Sequence, residues 1–227
     1  MIRLADLTFS YPGTPFRLDV PELHIQQGAQ VAIIGPSGSG KTTLLRLVSG
    51  IVTPDTGRVL TNGVAVGELS DAERRAFRLR NVGLVFQEFE LLEYLSVLDN
   101  VLLPFRLDGS LPGHAEARER AIELACRVGL EAELNRRPAD LSHGERQRVA
   151  VCRALVTRPP IVLADEPTGN LDPRTGGLVL DELIEFAAAD GATLMVVTHD
   201  HGLLERFERV IDLAEFTEPV KPLEAAG

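Results

Sequence analysis

The chain has 227 residues, 44% hydrophobic and 25% charged, which is enough for one sizeable core and excludes a disordered protein. Its formal net charge of −10 opposes binding to phosphate backbones, so nucleic acid is not an expected partner. The apolar runs are only as long as strands, and no basic segment followed by an apolar stretch opens the chain, so we expect a cytoplasmic protein that does not itself span a membrane.

Two stretches before residue 67 predict a small antiparallel sheet. Up to about residue 27, apolar and polar residues alternate between proline and glycine breaks, which is typical of strands joined by turns. Residues 58–61 and 64–66 flank Asn62-Gly63, a dipeptide that accepts the positive φ angles of a two-residue hairpin turn. We expect this sheet to lie at the periphery of the fold.

The remaining sequence alternates short apolar runs with helical patterns, which predicts an α/β protein with a mostly parallel sheet covered by helices. We predict one domain over residues 1–227. In it, about 88–158 form an inserted α-helical subdomain, while about 1–87 and 159–227 form the core and its peripheral β subdomain. The predicted core strands are residues 31–35, 82–87, 161–166 and 194–199.

Helical periodicity in the inserted segment places several apolar residues on one face of a helix. Cys126 and Cys152 both fall within helical patterns, so we expect each to be a small buried apolar residue, outside any disulfide or metal site. The residues on the apolar face are Ala121, Ile122, Ala125 and Val128.

A glycine-rich loop follows the first core strand and fits the pattern G-x-x-x-x-G-K-[ST], with a helical run at residues 43–49 after it. Glycines let backbone N–H groups surround a β-phosphate, and the helix N-terminus adds a positive end. Lys41 supplies a mobile cation and Thr42 a hydroxyl for Mg²⁺. The complete match disfavours an ordinary glycine-serine turn. The predicted ATP-binding residues here are Gly35, Pro36, Ser37, Gly38, Ser39, Gly40, Lys41, Thr42 and Thr43.

Two adjacent carboxylates, Asp165 and Glu166, end the third core strand. Like charges at this separation are tolerated where a cation or a proton offsets them, and Mg·ATP supplies that cation. We therefore predict that Asp165 holds Mg²⁺ and that Glu166 polarises the attacking water. The alternative, a solvated charged turn, is disfavoured beside a phosphate loop.

Residues 141–149 read Leu-Ser-His-Gly-Glu-Arg-Gln-Arg-Val, and they resemble the signature motif of ABC ATPases. The resemblance covers almost the entire chain and extends to Asp-Glu-Pro-Thr-Gly-Asn-Leu-Asp at 165–172, to Gln87, and to Val-Thr-His-Asp at 197–200. It implies a P-loop NTPase core of the RecA-like type and an enzyme that hydrolyses ATP. It also implies a head-to-tail dimer closed by two Mg·ATP, on the inner face of the cell membrane through integral permease subunits.

The resemblance also implies roles for single residues. Tyr11 would stack on adenine, Gln87 would reach Mg²⁺ and the attacking water, and His199 would contact the γ-phosphate. Each of these three alone would more often be a structural or surface residue, and their order along the chain favours the functional interpretation. Asp172 would lie at the dimer seam. The catalytic set is then Lys41, Gln87, Glu166 and His199; the Mg²⁺ ligands are Thr42, Gln87 and Asp165; and the groups at the ATP of the opposite copy are Ser142, His143, Gly144 and Glu145.

Three features depart from the commonest family pattern. Glu145 replaces a glutamine, which is a frequent variant, and His143 replaces a glycine. The His143 ring either changes the geometry or pH dependence of dimer closure or points away from the nucleotide. The chain after His199 lacks the Arg-Asp-Gly sequence of the usual last strand, which predicts a divergent or truncated C-terminal edge near 211–216.

The sequences at 9–13, 99–104 and 165–172 are similar to the lipoprotein-release, macrolide-export and cell-division branch, in which the ATPase drives separate permease subunits. The alternative class is a soluble ABC ATPase acting on nucleic acid or ribosomes. It is disfavoured because the chain lacks both a long heptad segment before Ser142 and a second cassette. A nucleotide-binding regulator that hydrolyses little is a third class, and the intact catalytic residues argue against it.

Overall fold

The computed structural model describes residues 1–169 and 171–216; Asn170, within the 165–172 sequence, and residues 217–227 lie outside the described part. The described strands form one antiparallel and one parallel sheet. Helices cover the parallel sheet, and this arrangement confirms the predicted α/β class.

The antiparallel sheet lies at the N-terminal side of the chain and buries one face of its long strands, as their alternating burial shows. The predicted hairpin is confirmed, with φ of 49° at Asn62 and 77° at Gly63. Gly57 is required beside a bulge in the first strand, because a Cβ there would lie 2.3 Å from the carbonyl oxygen of Asp6. In spatial order the strands are β2 (Arg17–Ile25), β1 (Ile2–Ser10), β4 (Thr56–Thr61) and β5 (Val64–Ala65).

The parallel sheet contains the four predicted core strands and one more at its edge. Residues 209–212 pair in parallel with the strand that precedes the phosphate loop, so truncation of this edge, one of the two expected alternatives, is wrong for these residues. Hydrogen bonds to that neighbouring strand stabilise residues 209–212 as a strand, although only two of them, Val210 and Ile211, are apolar. In spatial order the strands are β6 (Val82–Val85), β7 (Ile161–Asp165), β8 (Thr193–Val197), β3 (Gln30–Ile34) and β9 (Arg209–Asp212).

Seven α-helices occur in the described residues, and none of them is long and apolar enough to cross a membrane. Residues 86–160, all of them described, contain four of these helices and no strand. The subdomain boundaries at 88 and 158 stay a prediction. The helices are α1 (Lys41–Val48), α2 (Asp71–Asn81), α3 (Val97–Val101), α4 (Leu103–Leu107), α5 (Ala117–Arg127), α6 (His143–Leu155) and α7 (Pro173–Ala189).

Helix α5 confirms the predicted apolar face, since Ala121, Ala125 and Val128 are buried and Ile122 packs against the same core. The expectation for the cysteines holds only for Cys152, which is buried with its thiol pKa raised to about 12 by that burial. Cys126 is exposed because it lies on the opposite face of α5, so its predicted burial is wrong.

Candidate functional site

Four loops meet where the parallel strands end. The phosphate loop follows β3, Gln87 follows β6, Glu166 follows β7 and His199 follows β8. Because parallel strands present their carboxyl ends at one edge, these loops enclose a common cleft of about 670 Å³. Its lining residues are Tyr11, Thr14, Phe16, Gly35, Ser37, Gly38, Gly40, Lys41, Thr42, Thr43, Gln87, Glu166, Val197 and His199.

The backbone of the phosphate loop depends on Gly40, which precedes α1 in a left-handed conformation with φ of 94°. A Cβ at this position would lie 2.9 Å from Cζ of Phe16, so a larger residue would both strain the backbone and collide with the ring. Lys41 folds back over the loop, and its Nζ donates hydrogen bonds to the carbonyl oxygens of Gly35 at 2.8 Å and Pro36 at 2.9 Å. The amine is therefore held at the mouth of the loop.

Ser39 lies inside the same loop with only 9% of its surface exposed. Its Oγ is buried and has no hydrogen-bond partner among the described residues. A buried hydroxyl without a partner costs free energy, so a polar group arriving in the loop would remove a penalty that the protein alone leaves in place. The loop is thus suited to a polar ligand.

An aromatic corner flanks the phosphate loop. The Tyr11 ring contacts Phe9 edge-on at 4.8 Å and Phe16 at 5.7 Å between ring centroids. The Tyr11 hydroxyl lies 3.4 Å from Oγ1 of Thr43 and accepts a 3.4 Å hydrogen bond from Arg46. Tyr11 is therefore positioned from both sides. Phe16 was not predicted, although its aromatic side chain just after the Pro12-Gly13 turn gave a signal.

The three predicted Mg²⁺ ligands, Thr42, Gln87 and Asp165, line one smaller cavity of about 320 Å³ beside the main cleft. Burial raises the pKa of Asp165, and a hydrogen bond with Thr42 partly opposes that shift. A half-buried carboxylate, a hydroxyl and an amide are oxygen donors of the kind that Mg²⁺ takes when phosphates complete its shell. These residues fit the ion.

Glu166 and His199 face each other across the cleft. Nδ1 of His199 lies 3.1 Å from Oε1 of Glu166, and the histidine side chain is 65% exposed while the glutamate is 20% exposed. The backbone of Glu166 has φ of 45°, and its N–H donates to the carbonyl of Val197 at 2.9 Å. A Cβ on Gly169 would lie 3.2 Å from Oε2 of Glu166, so the chain folds closely behind the carboxylate.

The signature residues lie outside the lining of both cavities. Ser142 is exposed and caps α6: its Oγ and N–H both donate to Oε2 of Glu145 at 2.7 Å, and the Glu145 N–H donates back to Oγ at 3.3 Å. These hydrogen bonds from Ser142 lower the pKa of Glu145. The structure therefore gives Glu145 a capping role, and it leaves Ser142 on the surface.

A second helix start packs beside the first. A Cβ on Gly144 would lie 3.3 Å from Cγ2 of Thr175 and 3.7 Å from Cδ2 of Leu171. Asp172 caps α7 by accepting from the N–H groups of Arg174 and Thr175, each at 3.1 Å, and hydrogen bonds with Thr175 lower its pKa. The predicted residues thus divide into a cleft with its Mg²⁺ cavity and a separate surface that contains Ser142, His143, Gly144 and Glu145, while Asp172 lines a further cavity together with His199.

Comparisons with known proteins agree with this geometry. A family model described as "ABC transporter" matches residues 18–169. The lipoprotein-releasing system ATP-binding protein LolD of Chromohalobacter salexigens is 45% identical over 216 residues, covering 94% of this chain and 90% of that protein. LolD of Xanthomonas oryzae pv. oryzae is 44% identical and covers 94% and 88%. A dimeric post-hydrolysis structure of the ATP-binding cassette MJ0796 with ADP and Pi has a TM-score of 0.84 at 38% identity, covering 93% of this chain and 94% of that one.

Proposed function

Since this chain belongs to the ABC transporter family, in which it is an ATP-binding subunit with ATPase activity, we propose that two copies enclose two ATP molecules head to tail. The observation that carries this proposal is the division of the site. The cleft holds the phosphate loop and Glu166, whereas the capped start of α6 lies on a different surface of the same copy. Each ATP would then contact the cleft of one copy and Ser142 of the other.

Within one copy, the phosphate loop would hold the β- and γ-phosphates. Lys41 would exchange its bonds with the carbonyls of Gly35 and Pro36 for phosphate oxygens, and the buried hydroxyl of Ser39 would gain a partner. Tyr11 would stack on the adenine, with Phe16 supporting its ring.

We further propose that Thr42, Gln87 and Asp165 hold Mg²⁺, which would supply positive charge to offset that of the transferring phosphoryl group. Glu166 would orient and deprotonate the attacking water, and His199, 3.1 Å from that carboxylate, would contact the γ-phosphate. Asp172 would lie at the contact between the two copies.

The second copy would approach with the N-terminus of α6, whose unpaired N–H groups and positive dipole end suit a γ-phosphate. Ser142 would turn its hydroxyl from Glu145 towards that phosphate, and Gly144 would allow close approach. MJ0796, a cassette of similar fold, is a dimer in two solved structures. Loss of the γ-phosphate would remove these contacts and let the copies part.

The experiment that tests the shared site uses two serines with the same capping geometry. Ser70 caps α2 with Glu73 as Ser142 caps α6 with Glu145. We expect Ser70→Ala and Ser142→Ala each to lower the free energy of unfolding by about 1 kcal/mol in urea titrations. Only Ser142→Ala should also abolish ATP-dependent dimerisation in size-exclusion chromatography, because only that cap meets the partner's nucleotide. Equal dimerisation of both variants would contradict the shared site.

We propose that an integral membrane permease docks in the groove of about 550 Å³ between α2, β6, α4 and α6. The groove combines the apolar side chains of Leu103 and Leu107 with Arg75 and Arg78, so a partner helix with apolar and acidic residues would fit it. Phe86, which precedes Gln87 in the chain, lines both this groove and the Mg²⁺ cavity, so it connects the two. The subunit would then lie on the cytoplasmic face of the membrane and, by its similarity to LolD, drive lipoprotein release.

Docking in this groove predicts a specific loss of partner binding. Leu107, 65% exposed, lines the groove, whereas Leu178, 59% exposed, lies on α7 away from it. We expect Leu107→Asp to release the integral subunit that co-purifies with the full chain from detergent-solubilised membranes, while the ATPase rate of the isolated chain stays unchanged. Leu178→Asp should retain the partner. Equal retention by both variants would place the permease elsewhere.

A further inference from the structure

The turn after Gln87 has an unusual backbone. Phe89 and Glu90 are consecutive non-glycine residues with positive φ, 61° and 50°. Such conformations persist where surrounding contacts fix them. The source of that constraint is α6, more than fifty residues later in the chain, because Arg153 donates to the carbonyl oxygens of Phe89 at 2.6 Å and of Glu90 at 2.5 Å.

Arg153 is suited to act as a fixed clamp. It is half-buried, and burial lowers the pKa of its guanidinium. Its two terminal nitrogens are both used in the bonds to this turn, so the planar group is fixed in orientation. The strand before the turn also packs closely on α6, because a Cβ on Gly83 would lie 2.2 Å from the carbonyl oxygen of Ala154.

A second contact joins the turn to the other end of the same helix. The ring of Phe89 packs edge-on against His143, the first residue of α6, with 5.8 Å between ring centroids. Arg153 lies about 15 Å further along the helix at 1.5 Å per residue. The turn is therefore held at two points of a helix whose cap is Ser142.

We propose that Arg153 is a positioning residue for ATP hydrolysis, which locks the turn after Gln87 to the helix capped by Ser142. The inference rests on the roles proposed above for these two residues. Because these contacts hold the turn to α6, a displacement of α6 by the partner copy's nucleotide is transmitted to Gln87 in the same subunit. The contact of Phe89 also gives the His143 ring a function, since it supports the turn and need not touch ATP.

The test uses the full isolated chain, so that loss of the permease cannot contribute. We expect Arg153→Met to lower kcat about tenfold and to leave the KM for ATP within about twofold, because the side chain acts on Gln87 and not on the phosphate loop. It should also raise the Mg²⁺ concentration for half-maximal rate. Arg153→Lys should recover part of kcat, since an ammonium can still donate to carbonyls.

Arg74 provides the matched control. It is half-buried, it donates to a backbone carbonyl, that of Leu69 at 2.7 Å, and it lies outside the lining of the cleft, the Mg²⁺ cavity and the groove. Arg74→Met should match Arg153→Met in its loss of unfolding free energy and keep the wild-type kcat and Mg²⁺ dependence. If both variants lost kcat equally, the effect of Arg153 would be structural and the inference would fail.

A double-mutant cycle separates this inference from the function on which it rests. In a Gln87→Ala background, where the residue being positioned is gone, Arg153→Met should change the residual rate by less than about twofold. A further tenfold loss there would overturn the positioning role. By contrast, absence of hydrolysis by the wild-type chain, or no effect of Gln87→Ala, would refute the proposed function itself.

Discussion

Replacing Glu166 with glutamine is expected to lower ATP hydrolysis by about 10²–10⁴-fold while ATP binding is retained. Glutamine keeps the size of the side chain and its contact with the histidine opposite, but it cannot accept the proton of the attacking water. The side chain of Glu166 contacts His199, and the proposed contacts with ATP itself come from the phosphate loop and Tyr11, so we expect the affinity for ATP to be retained. The hydrolytic step alone should be blocked.

The blocked state should be visible as a dimer. With the γ-phosphate intact, the contacts from the partner's α6 persist, so Glu166→Gln with Mg·ATP should elute as a dimer in size-exclusion chromatography and return to monomer after ATP removal. Glu205, an exposed carboxylate in the turn after His199, is the control, and Glu205→Gln should hydrolyse ATP at the wild-type rate. A Glu166→Gln chain that stays monomeric and still turns over ATP would refute the catalytic assignment.

The part of the site that lies in the cleft was predictable from sequence because each piece is local. The phosphate loop, Glu166 and His199 each lie just after an apolar strand, and parallel strands necessarily place such loops at one edge. The comparisons confirm the ABC ATPase fold that the signature sequence indicated. The individual residue roles stay proposals, although the observed cleft brings most of these residues together.

The features that sequence analysis missed depend on contacts between distant segments. Strand β9 is too short and too polar to be recognised alone, and it forms because β3 offers a free edge. The clamp from Arg153 joins residues 63 and 64 positions apart, which periodicity does not detect. Helix α2 was also missed, although Ser70 and Glu73 give the local signal of a capping box.

Residues 141–149 show a second limit of prediction from sequence. Their resemblance to the signature motif implies that Glu145 contacts the nucleotide, whereas in the structure its carboxylate accepts two hydrogen bonds from Ser142. These hydrogen bonds follow from the Ser-x-x-Glu spacing itself, because the same spacing at Ser70 and Glu73 caps helix α2, which is not part of the cleft. A spacing that stabilises any helix start therefore cannot by itself identify a phosphate contact.

Replacing Lys41 with alanine is expected to weaken ATP binding and hydrolysis together. Lys41 is the cation at the mouth of the loop, and a charge-assisted hydrogen bond to phosphate contributes about 1.5–3 kcal/mol, so we expect a loss of affinity of about 10-fold to 150-fold. Loss of the two bonds to Gly35 and Pro36 would also free the loop backbone. Equilibrium binding of a fluorescent ATP analogue and a phosphate-release assay would measure both effects, and Lys41→Arg should retain more affinity than Lys41→Ala.

The lysine content of the chain allows an independent check of the same role. Lys41 and Lys221 are its two lysines, so an amine-reactive acetylating reagent has few targets, and mass spectrometry can follow each one. Because phosphate oxygens would engage the Lys41 amine, ATP should slow acetylation of Lys41 and leave that of Lys221 unchanged as an internal reference. AMP, which lacks the β- and γ-phosphates, should give no protection. Equal labelling of Lys41 with and without saturating ATP would mean that its amine never leaves the loop carbonyls for the nucleotide.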